Sequence, residues 1–322
     1  MAMEVPELFQ ALISQLQLAW PEADEDAYGR ASGHLETYSK LTGDDTYAAH
    51  QHIQRLLSSG RGEAMDALGR HWNKVKDPHA AAIETAALNS AAATATISAK
   101  VQGAKLQVLS ITANLAKLTF ASSVAGSVTF GASTDAVGPA VAAARTQTHA
   151  IVSACLEDTV HLLGRLEKDP SVTALDAAAA DLAAGVGGRG GEASDGSGTG
   201  RAWGNSLDPA GSGRAIAEGI SVDHAEHQLA AGKLREVATA VLGTTAGALS
   251  QAAGEHATAA AGGSLGAALA PVLDSVLDRL AKATAAFGDH LNGSLPDAVL
   301  LISSSQQDTD DDNKRRMSEL DR

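Results

Sequence analysis

Cysteine is almost missing from this chain: Cys155 is the only one in 322 residues. Neither an intrachain disulfide framework nor a thiolate metal cluster can be built from it. Its neighbours Ile151, Val152 and Leu156 mark it as a small core hydrophobe rather than a nucleophile. Aromatic residues make up only 3%, so a core must come mainly from Ala, Leu and Val within a hydrophobic content of 44%. Such a core gains less per side chain and depends on close backbone approach. Positive charge is also scarce: 24 Lys and Arg against 38 Asp and Glu leave a net charge of −14. That excludes nucleic acid as a partner, which needs a clustered basic surface. It equally argues against electrostatic attachment to an anionic membrane.

Long apolar runs are missing too. Leu118 to Thr134 and Val237 to Gly254 are uncharged, but they are short or weakly apolar for spanning a bilayer. The opening MAMEVPELFQ lacks a basic region, a following apolar region and a cleavage site, so no classical signal peptide is expected. The expected location is cytoplasmic before export, with any secretion by a signal-peptide-independent route.

Catalytic signatures are equally sparse. No Walker loop or Cys/His pairing occurs. Residues 185–190, Gly-Val-Gly-Gly-Arg-Gly, match the dinucleotide fingerprint literally, but they lie in low-complexity sequence without the strand and helix that make it work. His50 and His52 would point to opposite sides of a helix, while His224 and His227 lack a third ligand. All four read as solvated helix-face histidines. Asp24, Glu25 and Asp26 have no calcium-loop spacing and read as charge at a helix N-terminus. The expectation is a non-enzymatic chain with no cofactor and no metal.

What is present is helical periodicity. Val5, Leu8, Phe9, Leu12, Ile13 and Leu16 share one face of a first helix, which Trp20-Pro21 ends. Acidic residues load the first turn of the next helix, expected to end at Gly43-Asp44-Asp45. A third and a fourth helix follow, the fourth carrying Trp72 and closing at Pro78. From His79 to Lys168 runs a long Ala-, Ser- and Thr-rich spine, with a loop or small-residue crossing expected over Thr119 to Pro139. Its stripe Leu106, Leu109, Ala113, Ala116, beside Val108, Ile111, Leu115 and Leu118, is an apolar face wide enough to pack on several neighbours. The fold class is therefore all-α: a helical bundle of long small-residue helices with a second helical-hairpin module. The expected domains are 1–168, a Gly/Ser-rich flexible linker over 169–213, and a hairpin module with a charged tail over 214–322.

The stretch Val5-Pro6-Glu7-Leu8, then Leu12, then Trp20-Pro21-Glu22-Ala23-Asp24-Glu25-Asp26-Ala27 resembles a known module. It is similar to the WXG-like N-terminal domain of actinobacterial type VII secreted toxins and channel proteins, over roughly residues 1–168. Gly62-Glu63-Ala64, Trp72 and the small-residue helices after Pro78 follow in the expected order. More weakly, Ile220-Ser221-Val222-Asp223 and Gly262-Gly263-Ser264-Leu265-Gly266 resemble an EspC-type ESX secretion-associated hairpin. The chain departs from the pattern in two places. No Trp is followed by x-Gly, and no Tyr has Asp or Glu four residues on.

The resemblance implies a secretion-associated or substrate protein acting through helix–helix interactions, as a delivery partner or adaptor for an effector. Its expected partners are secretion machinery, a co-secreted helical protein or an effector, with intrachain pairing of the two modules as another arrangement. Leu8, Leu12, Trp20, Leu35 and Trp72 are expected in the packing, and Pro21, Asp24, Glu25 and Asp26 carry the junction motif. The rival readings are a membrane-acting helical protein and a cytoplasmic scaffold of a larger assembly.

Overall fold

A computed structural model describes residues 5, 7–125, 134–186 and 223–320, and among them every regular element is helical. In chain order these are α1 (Glu7–Gln15), α2 (Glu25–Ser59), α3 (Glu63–Lys74), α4 (Ala81–Ala125), α5 (Thr134–Glu167) and α6 (Pro170–Val186). After them come α7 (His224–Ala240), α8 (Ala246–Ala260), α9 (Gly263–Asn292) and α10 (Ser294–Leu320). Two wide π-type turns, Val75–Ala80 and Val241–Thr245, join α3 to α4 and α7 to α8.

Several boundaries differ from the sequence expectation. α2 runs through Gly43-Asp44-Asp45 without a break. Ala49, Ile53 and Leu56 beyond that point are fully buried, so packing carries the helix past its turn residues. Pro78 does not end the fourth helix. It sits inside the π-type turn, where the wider backbone repeat absorbs the lost N–H and α4 follows directly. Thr119–Ala125 and Thr134–Pro139 are helical, belonging to α4 and α5, while 126–133 lie outside the described residues.

The expected linker is corrected most. Residues 170–186 form α6, with Val172, Leu175, Ala178 and Leu182 buried at helical spacing. Only 187–213 of the Gly-rich segment retain that composition-based reading, and they lie outside the described residues.

The chain forms two compact units, each assembled from three separate stretches. Unit 1 comprises Met1–Glu36, Leu88–Asp169 and Ser250–Leu277, and unit 2 comprises Thr37–Ala87, Pro170–Leu249 and Asp278–Arg322. In unit 1, Tyr28, Leu35, Ile97, Val101, Val108, Leu163, Leu269 and Val276 are almost wholly buried. A satellite cluster of Leu18, Leu115 and Ala144, with Ile13, Leu16 and Val141 around it, fixes the end of α1 against α4 and α5. There the Arg145 side chain donates to the Leu16 carbonyl at 2.6 Å, and the Ala19 amide donates to the Thr148 hydroxyl at 3.2 Å.

Unit 2 holds the larger side chains. Tyr38, Ile53, Leu56, Leu68, Trp72, Ile83, Leu175 and Phe287 are buried to 1% exposure or less. The hydroxyls of Tyr38 and Thr284 hydrogen-bond in this core, and the Trp72 indole N–H donates to His50 Nδ1 at 3.0 Å. Partners of this kind offset the cost of burying these polar side chains.

Candidate functional site

Of the residues behind the family resemblance, those from Trp20 to Ala27 meet in unit 1 at the junction between α1 and α2. Gln17, with φ of 51°, reverses the chain after α1, and Pro21 is buried beside a half-buried Trp20. Asp24 then caps α2: its carboxylate accepts from the Ala27 amide at 2.9 Å. A short acidic side chain at this position satisfies an otherwise orphaned amide, and Glu25 and Asp26 add negative charge where the helix dipole favours it.

Glu25 does more than decorate the first turn. Its carboxylate pairs with Lys105 of α4, and the two side chains are only 4% and 5% exposed. Lys105 also donates to the Ala23 carbonyl at 2.8 Å and lies 5.8 Å from the centre of the Trp20 ring. One buried ammonium thus binds three consecutive features of the junction: an aromatic face, a backbone carbonyl and a carboxylate. The Ser98 hydroxyl, also on α4, donates to the Glu25 carbonyl at 2.7 Å.

The turn between α8 and α9 closes the junction from another direction. Gly262 approaches so closely that a Cβ there would meet Ala23 Cα at 3.0 Å. Gly263 has φ of 70°, and a Cβ on it would overlap the side chain of Glu22. Only glycine meets both demands. The two sequence motifs singled out separately, Trp20–Ala27 and the Gly262-Gly263 turn, are therefore in direct contact within unit 1.

Farther along α2, Tyr28 lies against His256 of α8, ring centres 6.2 Å apart, and His256 Nε2 is 3.2 Å from the Asp274 carboxylate of α9. Burial, then the Asp274 charge, pushes the Tyr28 hydroxyl up to about 12, while burial lowers His256 despite that carboxylate. Tyr28 is 0% exposed and His256 2%, so these groups pack helices together rather than face a substrate.

Unit 2 carries a histidine cluster that sequence reading missed. His71 Nε2 and His290 Nε2 are 3.0 Å apart, and His79 Nε2 lies 3.5 Å from the Asp181 carboxylate. Burial is the main cause that lowers His71 to about 4 and His290 to about 3, with neighbouring Lys74 and His79 acting on His71, and His71 and His79 acting on His290. Among the described residues no group of three or more His, Cys, Asp or Glu side chains is arranged to hold a metal ion.

The expected site residues divide accordingly. Trp20, Pro21, Asp24, Glu25 and Asp26 are brought together at the junction, and Leu12 and Leu35 are half-buried and buried in the same unit. Trp72 is fully buried, but in unit 2, so it does not join the junction. The Leu8 side chain lies outside what the structure describes. Two expectations on histidines are corrected. His227 is 0% exposed rather than solvated, and His224 is half-buried with Nδ1 2.6 Å from the Ser303 hydroxyl. His50 is likewise tied to Trp72. Lys105 was legible in principle, as one of two cations in an otherwise uncharged stretch from Thr85 to Ala116.

No protein-family model, no curated protein and no solved structure matches the chain.

Proposed function

We propose that this chain is a non-enzymatic, type VII secretion-associated or substrate protein, acting through helix–helix interactions as a delivery partner or adaptor for an effector. The observation that carries the reading is the use made of the junction motif. Trp20 to Glu25 is the point to which α4 and the α8–α9 turn both attach in unit 1. Residues that carry a family resemblance and also anchor a domain support descent from that helical scaffold more than chance similarity of Ala-rich helices. The buried polar groups around it are engaged in packing, which favours a binding role over a reaction. No helix among the described residues is long and apolar enough to cross a membrane, so the membrane-acting reading gains no support from that quarter.

The test is an immunoblot of cells and culture supernatant, with and without the host's type VII secretion ATPase, beside a lysis marker. ATPase-dependent appearance outside the cell is expected. Retention in both strains would instead favour a cytoplasmic scaffold.

A further inference from the structure

Helix α3 of unit 2 is tied to its neighbours by two adjacent side chains, and both bonds end on a histidine. The Trp72 indole N–H donates to His50 Nδ1 on α2, while His71 Nε2 meets His290 Nε2 on α9, each at 3.0 Å. A neutral imidazole has one accepting nitrogen, and a protonated one has none. The bond from Trp72 therefore exists only while His50 is neutral. The His71–His290 bond survives one proton but not two.

The surroundings oppose protons on all three rings. Burial is the first cause that lowers His50, His71 and His290. Lys76 adds to it at His50, Lys74 and His79 at His71, and His71 and His79 at His290. Asp77 acts the other way at His50, but it also lies 3.1 Å from Lys76. The Leu182 carbonyl of α6 acts the other way at His290, and more weakly than burial. Asp181 on α6 is engaged by Lys74 at 3.2 Å and by His79 at 3.5 Å. Asp297 on α10, which also packs against α3, is engaged by Arg235 at 3.3 Å. Unit 1 is built differently: its buried His256 has the Asp274 carboxylate at 3.2 Å, so a proton there completes an ion pair.

Helix α3 is also bounded by joints. Before it, Gly60-Arg61-Gly62 includes a glycine with φ of 129°. After it, Val75–Ala80 is a π-type turn that contains Pro78. Such positions absorb changes of backbone direction. A cleft of about 780 Å³ opens between the end of α2, at Leu57 and Ser58, and α3, at Met65, Asp66 and Arg70. On that side α3 has room to move.

We infer that α3 is an acid-released flap, which swings away from α2 and α9 on its glycine and π-type joints once His50 and the His71–His290 pair take up protons. Its buried side, Met65, Leu68 and Trp72, is then uncovered while unit 1 stays closed. The sign follows from linkage: the released rings titrate near 6.5, so each pH unit below that favours release by up to about tenfold per ring. The Lys74–Asp181 pair opposes release, but both side chains are largely exposed and such pairs contribute little. His79 keeps the far joint on α6 through Asp181, and a proton on it strengthens that hold. This inference goes beyond the export reading and holds whether or not the chain is exported.

Hydrogen exchange read by mass spectrometry tests it on the full chain, from pH 7.5 to 5, with labelling times scaled to the intrinsic exchange rate. Peptides covering 61–74 should lose protection by about a hundredfold or more across that range, and regain it on return to pH 7.5. Peptides from 97–108 and 155–166 of unit 1 should keep theirs. His50→Gln with His290→Gln leaves an accepting oxygen at both bonds at every pH, so in that chain 61–74 should stay protected at pH 5. Circular dichroism at pH 7.5 checks that the variant folds, and the wild-type profile decides by itself if it does not. Protection of 61–74 that survives at pH 5 in the wild type would overturn the inference. So would a loss that spreads equally through both units, or one that persists in the folded Gln/Gln chain.

Discussion

His71 and His290 face each other Nε2 to Nε2 at 3.0 Å in the interior of unit 2, so one ring must donate while the other keeps its lone pair. Protonating both would set two N–H groups against each other with little water to relieve them. Burial is the main reason that both rings titrate below their ordinary range, at about 4 and about 3, and the neighbouring charges of Lys74 and His79 on His71, and of His71 and His79 on His290, add to it.

The sign of the resulting pH dependence follows. The unfolded rings titrate near 6.5, so as pH falls below that value the unfolded chain takes up protons that the folded chain refuses. Stability from the neutral pair is complete above about pH 6.5 and lost progressively as pH falls toward 4 and 3. His79, lowered by burial, adds to the trend, although Asp181 opposes part of it. Urea midpoints measured from pH 7.5 to 4 should fall steadily, and His290→Gln should flatten that slope. An equal slope in the variant would assign the acid sensitivity to other groups.

The Lys105–Glu25 pair makes a different prediction. Removing one partner strands a buried charge, at a cost of about 3–5 kcal/mol, whereas removing both with apolar residues of similar volume is often nearly neutral. Lys105→Met alone should therefore be strongly destabilising in chemical denaturation. Lys105→Met with Glu25→Leu should recover most of the loss. If the double variant is as unstable as the sum of the single ones, the pair is not energetically coupled.

Two glycines should respond in opposite directions. Gly263→Ala forces a side chain into a left-handed backbone and into Glu22, costing about 2 kcal/mol or more. Gly254→Ala, inside α8 with open space around it, should stabilise by about 0.5–1 kcal/mol. Thermal melts of the two variants, run side by side, check the contrast.

A fourth prediction concerns cutting the chain. Each unit draws on residues before 187 and after 222. Fragments 1–186 and 223–322, expressed apart, should therefore be poorly folded, and co-expressed they should purify together as one helical complex. Two separately folded fragments would contradict the interleaved division.

The helical class and the acidic start of α2 were legible because each has a local cause, periodicity and the helix dipole. The end of α1 was not, because it falls at Gln15, where the left-handed Gln17 turns the chain ahead of Trp20-Pro21. Where tertiary packing decides, local signals misled. Gly43-Asp44-Asp45 reads as a stop, yet Tyr38 and Ala49 on either side are buried in one core and the helix passes through. Leu106 reads as part of an inner stripe, yet it is exposed, while Lys105 beside it is buried because Glu25 and Trp20 wait for it. Nor could residues 170–186 be separated by composition from the Gly-rich stretch that follows, although Val172, Leu175 and Leu182 make a helix face. The junction motif could be located, but its third anchor, the Gly262-Gly263 turn, lies more than two hundred residues away and had no local sign of where it would dock.

The interleaving of segments also sets a timetable. Residues 1–36 lack part of their unit until residues 250–277 have left the ribosome, and residues 37–87 wait for 278–322. Contacts so distant in sequence close slowly. During most of synthesis the N-terminal helices therefore expose apolar faces that the finished protein conceals. Any chaperone or secretion factor that acts on this chain before it is complete meets a different surface from the one the folded protein presents.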